Sequence, residues 1–174
     1  EMQRRIVQDV NGLIQALAIR RGIQLASIAG VVCSGNTAMI HFLLNLDPRR
    51  LRRAPYIPTA AWVPPIRAAE AGIRINKRGL LYVLPAVGAY VGSDVVAGVL
   101  ATRLYEATGL CLLIDIGTNG EVVVGSREWM VCASSSAGPA FEGSGVKHGM
   151  RAAPGAIERL SVAPDGQFQY QTIG

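Results

Sequence analysis

The stretch Leu112-Leu113-Ile114-Asp115-Ile116-Gly117-Thr118-Asn119-Gly120, followed by Glu121-Val122-Val123-Val124-Gly125, decides the fold class of this chain. An apolar run ends at one carboxylate, a short polar turn follows, and a second β-branched run leaves the turn, which predicts a hairpin of two strands. Glycines let a ligand approach the backbone closely, successive N–H groups can bind an anion, and a carboxylate can hold a hydrated cation. The hairpin therefore suits a nucleotide phosphate with its metal ion, although glycine-rich turns also join strands that bind nothing.

Composition describes a globular chain with one unusually basic segment. Of 174 residues 50% are hydrophobic, which is enough to bury the core of one domain or of two small lobes. The net charge is +5, but residues 49–78 contain eight basic residues and only Glu70 as an acid, so the rest of the chain is slightly acidic. This segment has no regular basic face and few aromatic residues, so we expect solvated surface or a protein contact and no nucleic-acid partner.

Cysteine and histidine are too scattered to form a metal site. Cys33, Cys111 and Cys132 stand singly in apolar runs, which predicts three buried thiols in a reducing compartment and neither a disulfide framework nor a metal cluster. His41 lies in a helical stretch and is expected in the core or at a cap, and His148 has no second ligand nearby in sequence.

Hydropathy gives no reason to expect a membrane protein. The most apolar region, Leu80 to Leu100, is interrupted by Pro85 and Asp94, and no signal peptide is recognisable. We therefore expect no membrane partner and a cytoplasmic location.

Apolar spacing predicts an α/β order in the first half of the chain. Met2 to Leu17 forms an amphipathic helix that stops at Gly22, and Ile28 to Cys33 forms a buried strand. Asn36 or Thr37 then caps a helix to about Leu44, in a strand, loop and helix order that can aim the N–H groups of Gly35, Asn36 and Thr37 at a ligand. An ordinary helix cap explains the same residues equally well.

The middle of the chain is expected to be irregular before regular structure resumes. Five prolines between Asp47 and Asn76 forbid long elements and predict an extended excursion with one short helix near Ile66 to Ala71. A strand at Leu80 to Leu84 and a helix from Ser93 through Leu104, ending at Gly109, follow.

After the opening hairpin we predict a third strand and then a loop. The strand covers Trp129 to Ala133, and Ser134 to Gly143 forms a loop that enters a helix with Pro139 in its first turn. The positive end of that helix would complete a phosphate cradle near the hairpin. Residues 152–162 and 167–172 predict a last hairpin around Pro164-Asp165-Gly166.

Several separated strings together resemble one family, the reductive activators of corrinoid proteins, in their actin-like ATPase (ASKHA) domain. They span essentially the whole chain, and their combination in one order is far more specific than a single D-x-G-T motif. The strings are G-N-T-A-M at Gly35 to Met39, the Leu84-Pro85 to Val91-Gly92-Ser93-Asp94 stretch, D-I-G-T-N-G-E at Asp115 to Glu121, S-A-G-P-A-F-E-G at Ser136 to Gly143, G-M-R-A at Gly149 to Ala152, and G-A-I-E at Gly155 to Glu158.

The resemblance implies an α/β fold of actin-like, ribonuclease H-like lobes, in which mixed β-sheets are flanked by helices. It implies ATP binding and hydrolysis coupled to electron transfer from an iron-sulfur cluster outside this chain to the cobalt(II) corrinoid of a partner protein, which is restored to cobalt(I). A homodimer of the parent protein is implied as well.

The resemblance also assigns roles to single residues. Asp115 would be the catalytic residue and would hold magnesium through water. Nucleotide contacts would come from three groups: Gly35, Asn36 and Thr37; Gly117, Thr118, Asn119 and Gly120; and Ala137, Gly138 and Glu142. Glu142 is equally well explained as an acid that balances a helix dipole.

One departure from the family pattern is that an actin-like ATPase needs two phosphate hairpins and this chain has one. We therefore expect a central fragment, with residues 1–109 forming the rear of the first lobe and its crossover helix, and residues 110–174 the front of the second lobe. Such a piece would hold about half of a nucleotide site and be inactive alone. A small-molecule kinase or another actin-like ATPase, and a docking module without catalysis, stay open as alternatives.

Overall fold

The computed structural model describes residues 1–117, 119–136, 150 and 152–174, with the backbone alone at Ser136. The chain divides into two compact units: the first is Glu1–Asp115 with Glu121–Ser134, and the second is Ile116–Gly120 with Ser135–Gly174. Three α-helices and three small sheets lie in the described residues, so the predicted mixed α/β class is confirmed.

The first helix, α1, covers Met2–Arg21 and ends as predicted at Gly22, whose φ of 64° is left-handed. Its core-facing side chains are Ile6, Val7, Val10 and Ile14, which pack against the buried cluster of the first unit. Leu13 and Leu17 are exposed although the sequence placed them on the apolar stripe. The buried stripe is therefore rotated around the helix toward Val7 and away from Leu17.

The first sheet consists of β1 (Gly30–Cys33), β2 (Ile66–Arg67) and β3 (Leu80–Val83) in the order β1-β3-β2. Strand β1 runs parallel to β3, and β2 runs antiparallel to it. Behind the sheet lies a core of Leu43, Ala68, Ala71, Ile73 and Leu81. The prediction of a buried first strand was wrong, because Val32 on β1 is 68% exposed and only one face of the sheet is covered.

Helix α2 covers Thr37–Leu43 and helix α3 covers Ser93–Thr102. Helix α3 ends earlier than predicted, because Arg103 takes a left-handed conformation and a 3₁₀ turn, Leu104–Glu106, follows. No helix in the described residues is long and apolar enough to cross a membrane.

The excursion between α2 and β3 holds two 3₁₀ turns, Arg49–Arg52 and Ala68–Ala71. The second turn follows directly on β2. The short helix predicted near Ile66 to Ala71 is therefore the short strand β2 followed by a 3₁₀ turn. Ala68 is fully buried, and its packing in the core fixes this part of the excursion.

The second sheet contains β4 (Cys111–Ile116), β5 (Asn119–Gly125) and β6 (Met130–Ser136) in the order β4-β5-β6. Neighbouring strands joined by two residues must run antiparallel, so the opening hairpin is confirmed. Strand β6 extends to Ser136, which means that Ser134 to Ser136 are strand and not the predicted loop. The helix expected after them lies outside the described residues.

The last hairpin is confirmed as β7 (Ile157–Val162) and β8 (Phe168–Thr172), which pair antiparallel from Val162 opposite Phe168 to Ile157 opposite Thr172. Its turn ends at Gly166, with a left-handed φ of 81°.

The cysteines do not share one environment. All three are free; Cys33 and Cys132 are half-buried, and burial raises the pKa of the Cys33 thiol. Cys111 is exposed at the start of β4, so the expectation of three buried thiols was wrong for this residue. Strand β4 lies at the edge of its sheet, which leaves that thiol open to solvent.

Candidate functional site

Asp115 lies one residue before the end of β4 and is exposed. Its carboxylate makes no hydrogen bond or ion pair with any residue in the described ranges. The strand therefore presents two free carboxylate oxygens beside the turn, and such oxygens are what a hydrated magnesium ion uses as ligands.

The turn after Asp115 is closed by its own backbone. The N–H of Gly117 donates to the carbonyl of Asn119 at 2.9 Å, so this amide is already engaged. Asn119 begins β5 with an exposed side chain, and Gly120 follows it half-buried. A methyl group added at Gly117 or Gly120 would meet no atom of the described residues closer than 3.7 Å, so packing against those residues requires glycine at neither position. Space for a ligand beside the backbone is a reason that does fit.

Glu121 and Ser134 add a polar pair next to this turn that the sequence reasoning did not single out. The hydroxyl of Ser134 on β6 donates to Oε1 of Glu121 on β5 at 3.1 Å. Glu121 was visible in the D-I-G-T-N-G-E string, but its partner depends on the pairing of β5 with β6. A string of residues along one strand carries no information about that pairing.

The loop between β1 and α2 is held by internal hydrogen bonds. Asn36 is the cap of α2, since its side chain accepts from the N–H of Met39 at 2.9 Å. Thr37 is 2% exposed and donates its hydroxyl to the carbonyl of Gly88 at 2.7 Å. Gly35 donates its N–H to the hydroxyl of Ser93 at 3.1 Å. The polar groups identified in this loop thus have partners within the first unit.

Ser93 is the residue that organises this loop from the other side. It is fully buried, and its hydroxyl and its N–H each donate to the carbonyl of Gly35 at 3.0 Å. Gly92 lies so close that a methyl group on it would stand 2.5 Å from Cα of Asn36 and 2.8 Å from the carbonyl oxygen of Gly35. The β1–α2 loop and the start of α3 therefore form one tightly packed junction.

His41 is fully buried on α2, as expected of a core histidine. Its Nδ1 lies 2.7 Å from the carbonyl of Thr37, and its Nε2 accepts from the N–H of Thr59 at 3.1 Å. An acceptor at Nε2 assigns the proton to Nδ1. The ring thereby ties α2 to the excursion.

The remaining predicted nucleotide contacts, Thr118, Ala137, Gly138 and Glu142, lie outside the described residues, as does His148. Of the predicted residues that are described, Asp115, Gly117, Asn119 and Gly120 share the β4–β5 turn region, and Gly35, Asn36 and Thr37 share the junction with Ser93. No group of three metal-ligating side chains was found in the described part of the chain.

Comparison with known families decides what this chain is related to. Residues 1–107 match the RACo middle region, and residues 109–174 match the C-terminal domain of RACo, the ASKHA domain. The chain belongs to the RACo family. The resemblance to reductive activators of corrinoid proteins is thereby confirmed.

Relatives of this RACo-family chain carry matching names. It is 32% identical over 169 residues to the corrinoid activation enzyme RamQ of Eubacterium limosum, covering 97% of the chain and 28% of RamQ. It is 39% identical over 88 residues to the [Co(II) methylated amine-specific corrinoid protein] reductase of Methanosarcina barkeri, covering 51% of the chain and 16% of that reductase.

A solved structure supports the same family. A reductive activator for corrinoid, iron-sulfur protein superposes with a TM-score of 0.75 at 47% identity, covering 98% of the chain and 27% of that protein. The RACo-family chain thus spans less than a third of the length of the relatives it matches.

Proposed function

We propose that these 174 residues are the part of an ATP-dependent reductive activator that holds nucleotide phosphate. ATP binding and hydrolysis would drive transfer of one electron from an iron-sulfur cluster to the cobalt(II) corrinoid of a partner protein, which returns to cobalt(I). One observation carries the proposal: in a chain of the RACo family, the ASKHA portion presents Asp115 exposed, without a partner among the described residues, and next in sequence to a tight, glycine-containing turn.

Within this proposal, the residues of the β4–β5 turn have separate tasks. Asp115 orients the water shell of magnesium or the attacking water, and Thr118 and Asn119 contact phosphate through backbone and hydroxyl groups. Magnesium, when bound, neutralises charge that develops on the phosphate oxygens. The Gly117 amide would join the phosphate contacts only if its bond to Asn119 opens. Ala137, Gly138 and Glu142 would belong to the second phosphate loop.

We place the electron donor in a further segment of the protein. A cluster of the usual type needs four cysteine ligands, and this chain contains three cysteines. The proposed lobes meet near residue 109, and Gly35, Asn36 and Thr37 contribute from the first of them. Like the Gly117 amide, the polar groups of Gly35, Asn36 and Thr37 would reach a nucleotide only if their internal hydrogen bonds open. In this arrangement the 174 residues hold about half of a nucleotide site, so ATP turnover requires the full-length protein, a cytoplasmic homodimer in this proposal.

Replacing Asp115 tests the proposal most directly. In the full-length protein, Asp115→Ala is expected to lower ATP turnover by roughly 100-fold or more, because one preorganised charged group is removed from the reacting phosphate. Phosphate release measures turnover, and the absorbance change from cobalt(II) to cobalt(I) measures activation of the corrinoid protein. Circular dichroism should show an unchanged fold, since Asp115 is exposed and has no partner in the described residues.

Asp9→Ala is the matched control, because Asp9 is exposed on α1 and far from this turn in sequence. It should leave both rates unchanged. Normal ATP turnover in Asp115→Ala would remove Asp115 from the mechanism. A wild-type protein that hydrolyses ATP but reduces no corrinoid protein would instead favour another actin-like ATPase.

A further inference from the structure

The basic segment of the chain contains one dense cluster of exposed arginines, and its other basic residues are spread along residues 67–78. Arg67 donates to the carbonyl of Arg78, and the backbone of Arg74 is bonded to Asn11. The cluster is the 3₁₀ turn Arg49–Arg52 together with Arg53, whose arginines are all exposed. Four of the eight basic residues of residues 49–78 therefore lie within the five positions 49–53.

One arginine of the cluster is neutralised and three are not. Asp47 accepts from both Nε and Nη2 of Arg49, and this contact lowers the pKa of the Asp47 carboxyl to about 2. Arg50, Arg52 and Arg53 form no side-chain hydrogen bond or ion pair within the described part of the chain. Within the described residues these three guanidinium groups therefore have no hydrogen-bonded or ion-paired partner, and only the charge of Arg50 acts on the nearby Asp47 carboxylate.

Tyr56, three residues after Arg53, pairs with a second tyrosine, Tyr90. The N–H of Tyr56 bonds to the carbonyl of Arg53 at 2.7 Å, and the ring of Tyr56 lies 5.6 Å from that of Tyr90. Both side chains are about half exposed although they contact each other. We call Arg50, Arg52, Arg53, Tyr56 and Tyr90 the Arg-Tyr face.

The backbone at Tyr56 is strained in a way that keeps its ring on this face. Its φ of 60° is left-handed, a conformation that a bulky side chain adopts only at a cost. Glycine or asparagine would take the same conformation more easily. Because strain of this kind collects at functional positions, the choice of tyrosine points to a use for its ring outside the fold.

The Arg-Tyr face rests on a fixed support. Thr59 donates its N–H to buried His41 and its hydroxyl to the carbonyl of Asp47, and Ala86 donates its N–H to the carbonyl of Ala61. These bonds tie the excursion to α2 and to the loop that carries Tyr90. A preorganised surface of arginine and tyrosine is the composition that protein interfaces favour at their centres.

We propose that the Arg-Tyr face is the docking surface for the corrinoid protein, and that it receives an acidic patch of that partner's surface. The inference rests on the proposed function for the identity of the partner. The three unpaired guanidinium groups supply long-range attraction and paired contacts to carboxylates, and the tyrosine rings supply the apolar centre of the contact. Two other occupants are possible for such a surface, a nucleic acid or a further segment of the same polypeptide.

The charge contribution is tested by reversing Arg50, Arg52 and Arg53 together to Glu in the full-length protein. Affinity for the corrinoid protein at low salt should fall about tenfold or more, and its dependence on salt should flatten, because the removed charges are screened by ions. The matched control reverses Arg4, Lys77 and Arg127, which carry the same total charge at other exposed positions. It should change affinity by about twofold or less.

The aromatic contribution is tested by Tyr56→Asn, which keeps a residue suited to the left-handed backbone and removes the ring. Affinity should fall about tenfold at every salt concentration, while the thermal midpoint stays the same or rises. A purely structural role for the ring predicts the opposite pair of results, a lower midpoint with unchanged affinity. Trp129→Ala serves as the control for losing an exposed aromatic ring elsewhere.

The outcomes separate the docking surface from the proposed function. Wild-type protein that fails to bind the corrinoid protein overturns both. Wild-type binding that survives the Arg and Tyr56 changes overturns the Arg-Tyr face alone.

Loss of single-stranded DNA binding in the variants, with corrinoid binding intact, assigns the face to nucleic acid. Slow amide hydrogen exchange over residues 49–56 of the full-length protein, measured without the partner, assigns the Arg-Tyr face to a contact with another segment of the same polypeptide. Unchanged basal ATP turnover in every variant is expected.

Discussion

His41 connects two parts of the chain that are neighbours only in the fold. Its ring is fully buried, and each nitrogen has a backbone partner, Thr37 on α2 and Thr59 in the excursion. Because both nitrogens are satisfied, the ring contributes packing and polar contacts together without an unpaired buried group. The position of the excursion, and with it that of the Arg-Tyr face, depends on this residue.

Replacement of His41 should release the excursion locally. His41→Phe keeps an aromatic ring, although a slightly larger one, but removes both polar contacts, so the N–H of Thr59 loses its acceptor at a cost of about 1–3 kcal/mol. We expect faster hydrogen exchange over residues 55–61 and a lower thermal midpoint. Gln at this position can offer its carbonyl oxygen to the same N–H, so His41→Gln should lose less.

Met39→Ala, on the exposed side of the same helix, is the control for His41 and should shift the midpoint little. Equal exchange over residues 55–61 in His41→Phe and wild type would show that the Thr59 contact does not hold the excursion.

At the scale of elements, the junction between the β1–α2 loop and α3 is set by backbone contacts. Gly35 and Ser93 exchange three hydrogen bonds, and Gly92 lies against Cα of Asn36. Glycine is needed at residue 92 for space and not for its dihedral angles, since its φ of −84° suits any residue. The contacts that hold the start of α3 therefore also hold the loop that carries Asn36 and Thr37.

A methyl group at Gly92 should therefore disrupt the junction. Gly92→Ala places a carbon 2.5 Å from a backbone atom that cannot rotate away, and the expected cost is about 1–3 kcal/mol. Gly88→Ala, in the preceding turn, meets nothing within 4 Å and should be neutral or slightly stabilising. Thermal midpoints of the two variants measure the difference. Equal midpoints would mean that the junction yields without cost.

Local signals predicted the elements, and tertiary contacts decided the rest. The end of α1 at Gly22, the cap at Asn36 and the β4–β5 hairpin depend on residues close in sequence, and each was predicted. The exposure of Val32 and Cys111 depends on which face of each sheet is covered by other elements. The alternation of apolar and polar residues along one strand does not contain that information. For the candidate site, the motif singled out Asp115, whose role stays a prediction, whereas the Gly35–Ser93 contact joins residues 58 apart and was not predicted.

At the scale of the whole molecule, large apolar side chains are exposed on two sheets. On β4, Leu112, Ile114 and Ile116 recur at every second position and are at least 52% exposed. On the β7–β8 hairpin, Leu160 and Phe168 are exposed as well. Monomeric proteins rarely leave contiguous apolar surfaces of this kind uncovered. If these residues are part of a longer activator, as proposed, we expect other segments of it to cover these faces.

The 174-residue chain on its own should therefore self-associate. Strand β4 offers an open sheet edge and an apolar row together, which is the combination that promotes pairing between copies. Sedimentation velocity should show species larger than a monomer, and a dye that binds apolar surface should fluoresce strongly.

Ile114→Lys should reduce both signals, because a charge on the apolar row blocks close pairing. Ile19→Lys, on exposed α1, should reduce neither. In the full-length protein Ile114→Lys should instead lower the thermal midpoint, since the row is covered there. A 174-residue chain that sediments as a monomer and binds no dye would show that these faces need no cover.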